Sequence, residues 1–206
     1  MLRFIKLQFV RCLHWLAHAA RVYWLWSWIY QAIYHRKFKN IELYNFSPDQ
    51  AWHKVKVLSW VEDSWRELRD VVGSPMWVQH CINEVSSGNQ QPEGSLDCDD
   101  FAIWCANSIN SDFEPYYFTT SWLKVDGSVS GHAVCLFYRG SSPKVLYHIG
   151  NWGIRGPFSG LQDISKKMAT LAGGVEIIGW SVYTKSLKLI DFGNGMPPVD
   201  NLIDRS

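Results

Sequence analysis

Between Pro115 and Phe192 one pattern recurs: a run of β-branched and aromatic residues, a short turn, then another such run. The runs are PYYFTTSWLKV (115–125), GHAVCLFY (131–138), KVLYHIGN (144–151), VEIIGWSVYT (175–184) and LKLIDF (187–192). Such residues suit a pleated, half-buried surface. Turns as short as Asp126-Gly127-Ser128 and 140–143 join strands that run antiparallel. One helical segment interrupts them, SGLQDISKKMATLA (159–172), closed by Gly173-Gly174.

The chain ahead of this sheet is helical in pattern. Ser47-Pro48-Asp49-Gln50 is a capping box with proline at the first helical position. Trp52, Val55, Leu58, Val61, Trp65 and Leu68 follow at spacings of three and four, which predicts a helix reaching about Asp70. Gly73-Ser74-Pro75 breaks it, and Met76–Val85 reads as a second, short helix. SSGNQQPEG (86–94) is a turn-rich loop. A third helix begins near Cys98, with apolar residues at Phe101, Trp104, Cys105 and Ile109 on one face. Helices followed by a mostly antiparallel sheet make an α+β fold. With 206 residues, 47% hydrophobic, the chain has enough apolar mass for one core. Residues 1–40 form an aromatic-rich amphipathic helical segment, 41–192 the main domain and 193–206 a loose tail.

The segment 1–40 crowds Trp15, Trp24, Trp26 and Trp28 among aliphatic residues with Arg3, Lys6, Arg11 and Arg21 interleaved. Its longest charge-free run is too short to span a bilayer, which takes about 20 apolar residues. It is expected to pack on the domain, on a second copy, or at a membrane surface. The stretch between Arg11 and Ala17-His18-Ala19 is too short, and too rich in histidine, for a secretory leader. Five cysteines without C-x-x-C spacing predict neither a disulfide framework nor a zinc knuckle, so the expected setting is the cytoplasm. A net charge of +1 gives no field for nucleic acid. No metal-ligand spacing or glycine fingerprint is present, so no cofactor is expected.

Chemistry concentrates in GSLDCDDFAIWC (94–105). Cys98 falls in the first turn of its helix, with Asp97 or Ser95 as cap, where the helix dipole favours a thiolate. Asp97, Asp99 and Asp100 oppose that effect, so a proton acceptor is needed. His132 opens a strand just after Gly131 and supplies an imidazole in the order expected of a thiol–imidazole pair. Cys105 and Cys135 lie on apolar faces and read as core.

LDCDDFA (96–102), GHAV (131–134) and GNW (150–152) resemble the three signature blocks of the transglutaminase-like cysteine peptidases of the papain-like superfamily. The resemblance covers about residues 63–152. It implies a papain-like core with Cys98 as nucleophile and His132 as general base and acid. At the third position the family usually has aspartate, and here Gly150 stands, with Asn151 beside it. An asparagine carbonyl can hold an imidazole in the required tautomer, which makes Asn151 the expected third residue. His148 is the runner-up, because cell-wall peptidases of the superfamily use a second histidine. The two differ in strand parity, so a regular strand would point only one of them at the site. The backbone N–H of Cys98 is the expected oxyanion donor, and Gln79, Gln90, Gln91 and Trp77 are candidates for the second. The implied activity is acyl transfer on a protein or peptide amide, either as peptidase or amidase or as a transglutaminase-type cross-linker. The rival expectation is an inactive binding module that docks through residues 1–40.

Overall fold

The computed structural model describes residues 40–61, 74–94 and 96–199, with positions 8, 9, 12, 32 and 36–38. The expectations for the Trp-rich segment, for residues 62–70 and for the end of the tail lie outside the described residues.

The chain is α+β. Helices α1 (Pro48–Val55), α2 (Pro75–Ser86) and α3 (Cys98–Ser108) precede strands β1 (Tyr116–Lys124), β2 (Val129–Arg139), β3 (Val145–Gly150) and β4 (Gly153–Phe158). Helix α4 (Leu161–Leu171) and strands β5 (Gly174–Tyr183) and β6 (Leu189–Asn194) complete it. The six strands form one antiparallel sheet in the order β4-β3-β2-β1-β5-β6.

Alternation along the strands assigns each residue to a face. Cys135, Phe137 and Ile149 join Ala51, Val78, Phe101 and Trp104 in a core under α1–α3. Phe118, Trp122, Val134, Leu136 and Val182 join Leu161, Ile164 and Met168 in a second core under α4. The sheet is therefore covered on both faces, which accounts for strands buried almost throughout their length. No helix among the described residues is long and apolar enough to cross a membrane.

Three sequence expectations need correction. Helix α1 stops at Val55 rather than near Asp70. Its start is as predicted: the Gln50 N–H donates to Ser47 Oγ (3.3 Å) and the Ser47 N–H to Gln50 Oε1 (2.9 Å). The end is set by tertiary bonds. Gln91 takes the Ser59 N–H and gives its own N–H to the Ser59 carbonyl, and Val61 pairs with Leu96, so residues 59–61 are held extended beside the approach to Cys98. Second, β4 has no counterpart in the sequence reading. Its GIRGPF carries two glycines and a proline, which a sheet tolerates at an edge, and β4 is an edge strand. Third, β6 pairs Gly193 and Asn194 with β5, so the tail starts after residue 194 rather than at 193.

Gly174 shows how closely β5 packs. A Cβ there would lie 2.4 Å from Trp122 Cδ1, and Trp122 is fully buried. Gly174→Ala is expected to destabilise the fold by about 2 kcal/mol, lowering Tm by about 4–8 °C in calorimetry. An unchanged Tm would mean that the Trp122 ring has room to shift.

Candidate active site

Cys98 is the first residue of α3, as its sequence context predicts. Asp97 is the cap: its Oδ1 accepts the Asp99 N–H (3.3 Å), and the Asp100 carboxylate accepts the Asp97 N–H (3.3 Å). This reciprocal box gives Asp97 and Asp100 a structural task and fixes where the helix begins. The Cys98 side chain is half-buried and packs against the cluster of Ala102, Ile103, Tyr117, Ala133 and Tyr183. The other cysteines differ. Cys81, Cys105 and Cys135 are buried and burial pushes their thiols up, Cys81 to about 12, so they remain protonated and inert. Only Cys98 and Cys12 are solvent-accessible thiols, and none of the five is in a disulfide.

His132 lies on β2 opposite Thr120 and shares the α4-side face of the sheet with Val134 and Leu136. Its ring is 5% exposed and stacks on Trp152, with centroids 4.1 Å apart and planes at 26°. Burial lowers its pKa to about 4, against smaller upward contributions from the Asn151 side chain and the Asp97 charge. At neutral pH the imidazole is thus uncharged and able to accept a proton. The influence of Asp97 brings the start of α3 and the His132 ring together at one end of the sheet. They lie on opposite faces of the sheet: Cys98 packs with Ala133 and Tyr117, whereas His132 shares the face of Val134 and Leu136.

That turn is Asn151-Trp152, which links β3 to β4 with Gly150 and Gly153 paired across its base. Asn151 is therefore not a strand residue, and strand parity does not separate it from His148. Both come to His132. The Asn151 side chain acts on the ring and raises its pKa, while His132 Nε2 and Asn151 Oδ1 are both buried with no hydrogen-bond partner. His148 is fully buried, stacks on Phe158 (5.3 Å, 16°) and lies across from Arg155 of β4. Burial lowers its pKa to about 3, helped by the nearby His132 and the Arg155 charge.

The glycine at the third signature position has a steric reason. A Cβ on Gly150 would meet Val134 Cγ1 at 2.9 Å and His132 Nε2 at 3.7 Å. The Val134 side chain occupies the space that a Cβ there would need, and the imidazole would be in ordinary contact with it.

The oxyanion candidates divide. Gln79 is buried and accepts the Trp104 indole N–H (3.1 Å) while donating to Asn83 (2.9 Å), and Gln91 is bound to Ser59. Both are committed to structure. Trp77 lies against Gly94, where its ring leaves no room for a Cβ. Gln90 is exposed on the loop. Among the described residues, one group of three metal-type donors lies together: single ligand atoms of Asp97, Cys98 and Asp99, within 4.8 Å of one another. One of those carboxylates is the helix cap, and a thiolate with two hard oxygens in a single helical turn is a poor match for either soft or hard cations.

Two contributors escaped the sequence reading. Trp152, which roofs the imidazole, follows Asn151 directly, and an aromatic residue beside the candidate third residue was the available signal. Arg155 sits in the unrecognised edge strand, where nothing in the sequence marked it. No protein-family model, curated protein or solved structure matches the chain.

Proposed function

We propose that the protein is a thiol-dependent acyl-transfer enzyme with a papain-like, transglutaminase-like core, acting on a peptide or isopeptide amide through Cys98, His132 and Asn151. One observation supports the reading: a neutral, buried imidazole, stacked on Trp152 and influenced by Asn151, feels the charge of Asp97, the cap of the helix that begins at the half-buried Cys98. Buried imidazoles with no polar task are expensive, whereas a general base requires this state.

In the proposed cycle the Cys98 thiol gives its proton to the free imidazole nitrogen as sulfur attacks the amide carbonyl. A C–S bond forms, and the oxyanion is stabilised by the Cys98 backbone N–H at the positive end of the helix. The C–N bond then breaks as the imidazolium returns its proton to the departing amine. Water, deprotonated by His132, releases the acid and restores the thiol. An amine in place of water would give a cross-link. We favour hydrolysis over the cross-link.

Cys12 supplies an internal control, because it is exposed in the same molecule. Iodoacetamide at neutral pH is expected to label Cys98 at least about tenfold faster than Cys12, read by peptide mass spectrometry. Equal or slower labelling of Cys98, together with a Cys98→Ala variant that keeps the biological effect, would leave the binding-module reading in its place.

A further inference from the structure

Edge strand β4 carries a cation that no carboxylate answers. Among the described residues the ion pairs join Arg139 to Asp49, Lys144 to Glu114 and His80 to Glu84, and none reaches Arg155. A fully solvated arginine would need no partner. Arg155 is half-buried, however, and its Nε is closed off from water without a hydrogen bond. It stands directly opposite His148 of β3, so the two side chains share a face, with Cβ atoms about 5 Å apart. His148 is fully buried, and neither of its ring nitrogens has a partner. Burial foremost, then His132 and the Arg155 charge, keep this imidazole neutral.

Arg155 Nε can only donate, and a neutral imidazole keeps one N–H to donate. Native folds leave few buried donors unmet, so two on facing side chains point to one acceptor that reaches both. Charge narrows the choice. The guanidinium brings a single positive charge, both histidines are neutral, and Asp97 adds a negative charge near His132. A monoanion balances the site, and a phosphate dianion does not. Shape narrows it further: the two oxygens of a carboxylate match the fork of Nε and one Nη, and each oxygen keeps a second lone pair for the His148 N–H.

We propose that Arg155 and His148 form a binding site for a carboxylate at the edge of the sheet. The site itself stands without the acyl-transfer reading. That the carboxylate is an acidic side chain of the peptide substrate rests on that reading. β4 is the outermost strand and the guanidinium is partly exposed, so the ligand enters past an edge rather than through the core. The site also gives a task to a fully buried second histidine that is not the third catalytic residue.

The test replaces sodium chloride by sodium acetate at constant ionic strength and pH 7.5, with the full chain followed by thermal unfolding and by histidine 1H–15N spectra. At ten times its dissociation constant, read from the spectra, acetate is expected to raise Tm by about 3–6 °C. The His148 nitrogen signals should move with the same saturation. Arg155→Met is expected to lose both effects, and Arg155→Lys, which keeps the charge without the fork, to bind acetate about tenfold more weakly. Arg155 is half-buried and on an edge strand, so both variants are expected to fold. No gain of acetate over chloride, or the same gain in Arg155→Met, overturns the site. Bound acetate that leaves the His148 nitrogens unmoved overturns the part given to His148. Acetyl-Ala-Glu-Ala-amide is expected to bind at least about tenfold tighter than acetate or its Gln counterpart. A Glu peptide no tighter than acetate overturns the peptide as the source of the carboxylate, in favour of a free carboxylic acid. The ratio of Cys98 to Cys12 labelling by iodoacetamide in the same samples reads the acyl-transfer proposal separately: slow Cys98 with Arg155-dependent acetate binding would sink that reading and sustain the site.

Discussion

Replacing His132 by alanine is expected to slow iodoacetamide labelling of Cys98 at pH 7 by about 100-fold, the low end of what a positioned general base supplies. The physical case starts from the thiol. Its helix start favours a thiolate, but Asp97 and Asp99 hold carboxylate oxygens within 4.8 Å of the sulfur and act against it. The helix alone is thus a poor activator, and loss of the proton has to be driven by an acceptor. His132 is kept neutral by burial, with a pKa near 4, so almost every molecule at pH 7 carries the acceptor form. Asn151→Ala is expected to fall between, about tenfold slow, because the base remains but its tautomer is no longer held. Labelling of Cys12 in each variant normalises for reagent and fold. If His132→Ala labels as fast as wild type, the imidazole does not serve the thiol, and no adjustment of the third residue would rescue the mechanism.

The elements legible in the sequence are those whose signal is local. The Ser47 box, the Ser74-Pro75 start of α2, the Asp97 cap and five of the six strands all follow from short patterns. What the sequence did not show depends on partners far along the chain. Gln91 reaches Ser59 over 32 residues and ends a helical pattern that composition alone would have continued. The site divides the same way. Cys98 and His132 are marked by a helix start and a strand start. The parity argument that set Asn151 against His148 assumed that the strand continued through residue 151, whereas β3 ends at Gly150 and the next residue is free to turn inward. Arg155 lies on an edge strand whose glycines and proline hide its alternation, so its position opposite His148 appears only once the hairpin is folded.

Acid should unfold this protein early, and the two buried histidines give the reason. Both have folded pKa values, about 4 for His132 and about 3 for His148, below the ordinary value of 6.5 that applies once the chain unfolds. The unfolded chain therefore binds more protons, so their contribution is complete above pH 6.5 and is lost as pH falls toward the folded values. At pH 5 each imidazole remains neutral in the fold but is charged when unfolded, which favours unfolding by about 2 kcal/mol per histidine. Their mutual repulsion does not enter there, because neither is charged in the folded state, so the two contributions add to about 4 kcal/mol. That is a large share of a typical total of about 5–15 kcal/mol. Tm is expected to fall by about 8–16 °C between pH 7.5 and pH 5, a window that ends before most carboxylates titrate. His148→Phe keeps an aromatic ring against Phe158 and removes one titration, so it should roughly halve the drop even if it lowers Tm at pH 7.5. The double variant with His132→Gln should flatten most of what remains. An undiminished drop in His148→Phe would mean that the imidazole takes up its proton within the folded state, with a pKa near 6.5, and that its burial is relieved by a partner or a local opening.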